Sequence, residues 1–155
     1  MDKKTKIIYI CLAVFVVVVL LLSWLVDKKE TNGNYTCKAS DHEISFTIED
    51  DLISKIYFKI NKSYSDYGYE TSNLTSYQKQ NIEKEILYDF GIDKFNYDGI
   101  DIKVTYDNNI IIEINVDYSK ASSDILKKIG LNYDKNVKFS TIKEMLKQDK
   151  TYECK

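Results

Sequence analysis

No charge interrupts residues 7–26, a run opened by Ile7 and closed by Val26 whose most polar members are Tyr9, Cys11 and Ser23. At ~1.5 Å rise per residue, a helix of this length spans roughly the 30 Å hydrocarbon core of a bilayer, where a helix satisfies its own backbone. The run exceeds the ~7–15 apolar residues of a signal peptide and has no A-x-A-like site at its end, so the pattern predicts an uncleaved anchor. Lys3, Lys4 and Lys6 precede it, and only Lys28 and Lys29 follow, beside Asp27 and Glu30. That asymmetry predicts a single-pass cell-membrane protein with residues 1–6 in the cytoplasm and the C-terminal domain outside. Cys11 does not read as a lipidation site, because Ile10 precedes it and the apolar stretch follows it.

Beyond the anchor the period changes. Residues 27–34 are polar and turn-prone and predict a tether, leaving 35–155 for one extracytoplasmic domain. Polar and apolar residues alternate over 43–48 and again over 54–60, on either side of Glu49-Asp50-Asp51, which predicts a hairpin. Thr75 and Gln78 make a capping box for a helix carrying Tyr77, Ile82, Ile86, Leu87 and Phe90 on one side and ended by Gly91. Ile100, Ile102, Val104 and Tyr106, then Ile110, Ile112, Ile114, Val116 and Tyr118, alternate around Asp107-Asn108-Asn109 and predict a second hairpin. Ser122 caps a short helix through Ile129, Thr141 with Glu144 caps another bearing Ile142, Met145 and Leu146, and residues 151–154 close the chain as a strand. The expected fold is α+β: a mainly antiparallel sheet from two hairpins plus terminal strands, packed with one longer and two short helices, preceded by one transmembrane helix.

Composition narrows the function classes. The chain has 155 residues and a formal net charge of −2, with no Arg and no Pro, so it lacks the basic excess that neutralises a phosphate backbone, and nucleic acid is excluded as an expected partner. His42 is the sole imidazole and stands without a visible nucleophile or orienting partner, so no catalytic residue is assigned. The five glycines form no phosphate-cradling loop. Placing Gly99 at the sixth position of a calcium loop puts Lys94 first and Thr105 twelfth, the wrong charge pattern for an EF-hand. No cofactor and no metal site is expected, since two outer cysteines and one histidine fall short of a zinc ligand set.

Cys37 and Cys154 lie near the two ends of the domain, and an oxidising compartment would join them in a disulfide tying the first element to the last. Tyr64, Tyr67 and Tyr69, with Gly68 among them, form the candidate ligand-binding residues, suited to a sugar or a peptide of the cell envelope. The competing structural reading has these rings packing over the sheet, which the 13 tyrosines of this chain favour.

The string Ile114-Asn115-Val116-Asp117-Tyr118-Ser119-Lys120-Ala121, with Ile125-Leu126-Lys127-Lys128 and Phe139-Ser140-Thr141-Ile142-Lys143-Glu144-Met145-Leu146 after it, resembles the YehR-like family of small bacterial lipoproteins. The resemblance implies a compact exported α+β domain held by a lipid and supplies no catalytic residues. The chain departs from that pattern at the tether, where an apolar helix stands in place of a lipid-modified Cys. The resulting expectation is a membrane-anchored, extracytoplasmic binding or interaction module, attached through Ile7 to Val26, with a monomeric outer domain. Two alternatives stand beside it. One is an enzyme acting on envelope polymers through paired carboxylates such as Asp98 and Asp101. The other is a structural partner of another membrane protein, although residues 7–26 have no Gly and only Ala13 and Ser23 as small residues for close helix packing.

Overall fold

Side chains alternate across a strand with a period of two, and that alternation sets the architecture. In a computed structural model describing residues 32–131, 138–149 and 151–155, seven strands form one sheet: β1 (Gly33–Lys38), β2 (His42–Glu49), β3 (Leu52–Lys62), β4 (Asn96–Tyr97), β5 (Ile100–Tyr106), β6 (Ile110–Asp117) and β7 (Glu153–Cys154). Their order is β4-β5-β6-β3-β2-β1-β7, and every neighbouring pair is antiparallel. β2 turns into β3 at Asp50 and Asp51, whose φ values of 52° and 62° are the left-handed conformation that a two-residue hairpin loop requires and that Asp tolerates.

The register stacks isoleucines on one face. Phe46 stands opposite Ile56, Ile56 opposite Val116, and Val116 opposite Ile100. One step along, Ile44, Phe58, Ile114 and Ile102 form the next cross-strand row. Three helices complete the core: α1 (Ser76–Asp89) through Ile82 and Ile86, α2 (Ser123–Lys128) through Leu126, and α3 (Phe139–Gln148) through Phe139 and Ile142. A 3-10 turn, Tyr64–Tyr67, links β3 toward α1 and buries Tyr64 in the same cluster.

The expected fold class is corrected. The two hairpins join where β3 and β6 pair through eight residues of each, from Lys55↔Asp117 to Lys62↔Ile110, so the sheet is one continuous antiparallel sheet of seven strands. That sheet also gains β4 at one edge, which alternation alone does not announce. The three helices are short, and none among the described residues is long and apolar enough to cross a membrane. The longest, α1, has 14 residues, and at ~1.5 Å each it reaches only about two thirds of a hydrocarbon core. The expected localisation, a single-pass cell-membrane protein with its domain outside, is corrected on the same finding. The anchor itself, expected at residues 7–26, lies outside the described residues, as do residues 1–6.

Local capping explains most helix ends. Thr75 Oγ1 accepts from the Gln78 backbone N–H, and the Gln78 side chain accepts in return from the Thr75 N–H at 2.8 Å. Ser122 Oγ accepts from the Ile125 N–H. α3 differs from the expected start at Thr141: it begins at Phe139, because Asp51, in a turn 89 positions upstream, accepts from both the N–H and the Oγ of Ser140 at 2.9 Å. Its main-chain carbonyl also accepts from the Phe139 N–H. Tyr77 is not on the packed side of α1 and is 70% exposed, since Ile82 and Ile86 set the buried stripe. Gly33 and Asn34, expected in the tether, belong to β1.

Candidate functional site

With the described helices packed on the isoleucine face, the other side of the sheet is open among the described residues, and its residues are the polar halves of the same alternating strands. Register arranges them in rows that run across the strands. Lys38, Glu43, Lys59, Glu113 and Lys103 make one row, alternating in sign from β1 to β5, with Lys38 Nζ 2.9 Å from Glu43 Oε2. Opposite charges directly across antiparallel strands stabilise pairing, so this row fixes register and leaves little net field.

The next two rows are nearly free of such pairing. Asn96, Asp101, Asn115, Tyr57 and Ser45 stand in register from β4 to β2, and Asp117, Lys55, Thr47 and Asn34 from β6 to β1. Together with residues 97–99 these rows line an open groove of about 570 Å³, within the range of small-molecule sites.

Each side of the groove is fixed by identifiable contacts. Tyr57 lines it from β3, and its hydroxyl donates to Glu113 Oε1 at 2.6 Å. Burial and that carboxylate push the phenol up to about 12, so it stays a neutral donor. Thr36 Oγ1 and Ser45 Oγ lie 2.9 Å apart, and Thr47 Oγ1 donates to Asn34 Oδ1 at 3.2 Å. Asp117 Oδ1 accepts from the N–H and hydroxyl of Ser119, and Lys120 Nζ stands 3.9 Å from Oδ2. Those Ser119 bonds, aided by Lys120 and Lys55, hold the Asp117 carboxyl below its ordinary range.

The turn into β5 depends on Gly99. Its φ is +74°, in the left-handed region, and a Cβ there would meet Ala121 N at 2.4 Å and Asp117 O at 2.8 Å. No other residue allows the turn before β5 to lie so close to the backbone after β6. Tyr97, beside it, has its hydroxyl hydrogen-bonded to the Asp93 carboxylate and its ring under Lys94 Nζ at 4.9 Å.

The sequence-expected residues fall elsewhere. Tyr64 is buried and donates to the Asp107 carbonyl at 2.7 Å, while Tyr67 and Tyr69 are half-buried against the core. Burial pushes the Tyr67 phenol up to about 12. The three rings therefore pack on the helix side, away from the groove. Asp98 and Asp101 do line the groove. Cys37 and Cys154 are joined as a disulfide, with Cα atoms 4.0 Å apart in register between β1 and β7. His42 is held between Asp41 Oδ1 at 2.7 Å and the Tyr152 hydroxyl at 2.8 Å, an arrangement that ties the start of β2 to the C-terminal segment. Among the described residues, no group of three or more His, Cys, Asp or Glu side chains could hold a metal ion.

Asn34, Ser45, Tyr57, Asn96 and Asn115 are the groove residues that sequence reading passed over. Their signal was present as the polar positions of alternating strands, but the rows exist only once the β3–β6 register is known. Comparison with known protein families, with curated proteins and with solved structures finds no match to this chain.

Proposed function

We propose that the chain is a non-catalytic binding module whose ligand lies in the groove on the open face of the sheet. The observation that carries this reading is the groove itself: hydroxyl, amide and aromatic side chains line one open groove on the face that no helix among the described residues covers, while the opposite face carries the core. Surfaces of this kind orient a ligand through a few placed polar groups and bury it against rigid side chains. Hydrolysis through Asp98 and Asp101 is the competing reading.

The test is chemical-shift mapping on the full chain against separate sugar and peptide mixtures. Saturable shifts centred on Ser45, Tyr57 and Asn115 are the expected result. Shifts confined to Tyr64, Tyr67 and Tyr69 would move the site to the helix side and end this reading.

A further inference from the structure

Resting on that reading, we infer that the ligand is an uncharged oligosaccharide lying across the strands of the groove. Four observations converge on this chemistry.

Direction comes first. Asn96, Asp101, Asn115, Tyr57 and Ser45 follow one another over five adjacent strands, a line of about 19 Å at ~4.8 Å per strand. An extended peptide recognised by a sheet adds along an edge and uses free backbone groups. The groove floor lies on β2, β3, β5 and β6, whose backbone bonds are used in ladders with neighbours on the inner side of the sheet order, so side chains alone are presented there.

The second observation is the type of polar group. Ser, Thr and Asn side chains each supply both a donor and an acceptor, which matches a sugar hydroxyl that is also both. Ser45, Thr47, Asn34, Asn96 and Asn115 provide five such groups in one groove.

The third is Tyr57. Its bond to Glu113 holds its hydroxyl in place, and Tyr97 lines the same groove. Fixed aromatic rings offer apolar faces at small conformational cost, suited to the C–H face of a sugar ring beside its hydroxyls.

Charge is the fourth. Lys55 and Lys120 in the groove stand against Asp98, Asp101 and Asp117, and the neighbouring row alternates in sign. Neither cation nor anion gains a field of one sign over the groove's length, which disfavours polyuronates, phosphorylated chains and basic peptides alike.

The experiment screens the full chain on an array of neutral glycans, polyuronate fragments and mixed-sequence peptides, then maps the retained probe by chemical shift. Retention of a neutral glycan with shifts at Ser45, Tyr57, Asn96 and Asn115 is expected, and raising salt should change affinity less than about twofold, because no exposed ion pair with the ligand is there to screen. Tyr57→Ala should weaken binding at least about tenfold, equivalent to ~1.4 kcal/mol, while Tyr57→Phe, which keeps the ring, should retain most of it. If Tyr57→Ala fails to fold, Asn115→Ala serves the same purpose from an exposed position. Retention of only polyuronates or only peptides, mapped to the groove, overturns the oligosaccharide and leaves the groove as the site. No groove shift with any probe overturns both.

Discussion

The two faces of the sheet are built from the same strands and carry opposite duties. On the inner face Ile56, Ile110, Ile112, Ile114 and Val116 are almost wholly buried, and neighbouring positions of the same strands, Lys55, Ile111, Glu113, Asn115 and Asp117, point outward. One face holds the chain together by removing apolar surface from water, and the other keeps polar groups in place at its surface. Because the side-chain period is two, a one-residue slip of β3 against β6 would exchange these roles, so the same register that forms the core also assembles the groove. Stability and binding should therefore respond to different residues of one strand, and that separation can be attacked experimentally.

The largest stability effect belongs to the staple at the edge of the core. Cys37 is fully buried and bonded to Cys154 across a separation of 117 residues. Replacing both with Ser should lower the unfolding free energy by about 2–5 kcal/mol, chiefly by releasing a long loop in the unfolded chain. Denaturant unfolding of the oxidised chain and the double variant measures this. Equal midpoints would mean that β7 contributes nothing that the bond preserves.

Within the sheet, Ile56→Ala on the inner face should cost about 3 kcal/mol, from lost burial plus the cavity left at a site 1% exposed. Asn115→Ala on the outer face of the paired strand should stay within about 0.5 kcal/mol on stability while weakening ligand binding. An Asn115 variant as damaging as the Ile56 variant would show that the outer rows carry the fold, and the division of labour would collapse. Thr75→Ala comes lower in size, at about 1 kcal/mol for loss of the α1 cap, and its readout is thermal melting with unchanged groove shifts.

How far the sequence speaks follows from which interactions are local. Alternation in β2, β5 and β6 and the Thr75–Gln78 box lie within a few residues of each other, and they are legible. The end-to-end disulfide is legible too, since only two cysteines remain once Cys11 is set aside. The start of α3 is not, because Asp51 fixes it from the β2–β3 turn. Nor are the groove rows, which depend on pairing between β3 and β6, about sixty positions apart at Tyr57↔Asn115 and Lys55↔Asp117. The Tyr64, Tyr67 and Tyr69 cluster is legible only in part: composition favours packing over a contact surface, but the partners, such as the Asp107 carbonyl, come from the distant β5–β6 turn.

The smallest expected effect is on the acid side, and it separates the faces by pH. Asp41, Asp93, Asp117 and Asp149 sit in turns and at strand ends, and each has its carboxyl held below the ordinary value of 3.8, chiefly by hydrogen bonds from His42, Tyr97, Ser119 and Thr151 respectively. With a folded pKa below the unfolded one, the unfolded chain binds more protons between the two values. The contribution is thus fully present above the unfolded pKa and disappears as pH falls through the folded one. Melting temperature should be insensitive to these groups from neutral pH down to about 5 and decline below about 4. Ser119→Ala and Thr151→Ala remove the donors that depress two of the four, so each should lower neutral-pH stability slightly and flatten the acid decline by the same amount, leaving stability at the acid end unchanged. Ile56→Ala touches no titratable group and should lower the melting temperature at every pH without changing the shape of the profile. If the inner-face variant altered the acid slope as much as the turn variants do, protonation would be acting through the core, and the two faces would not be energetically separate.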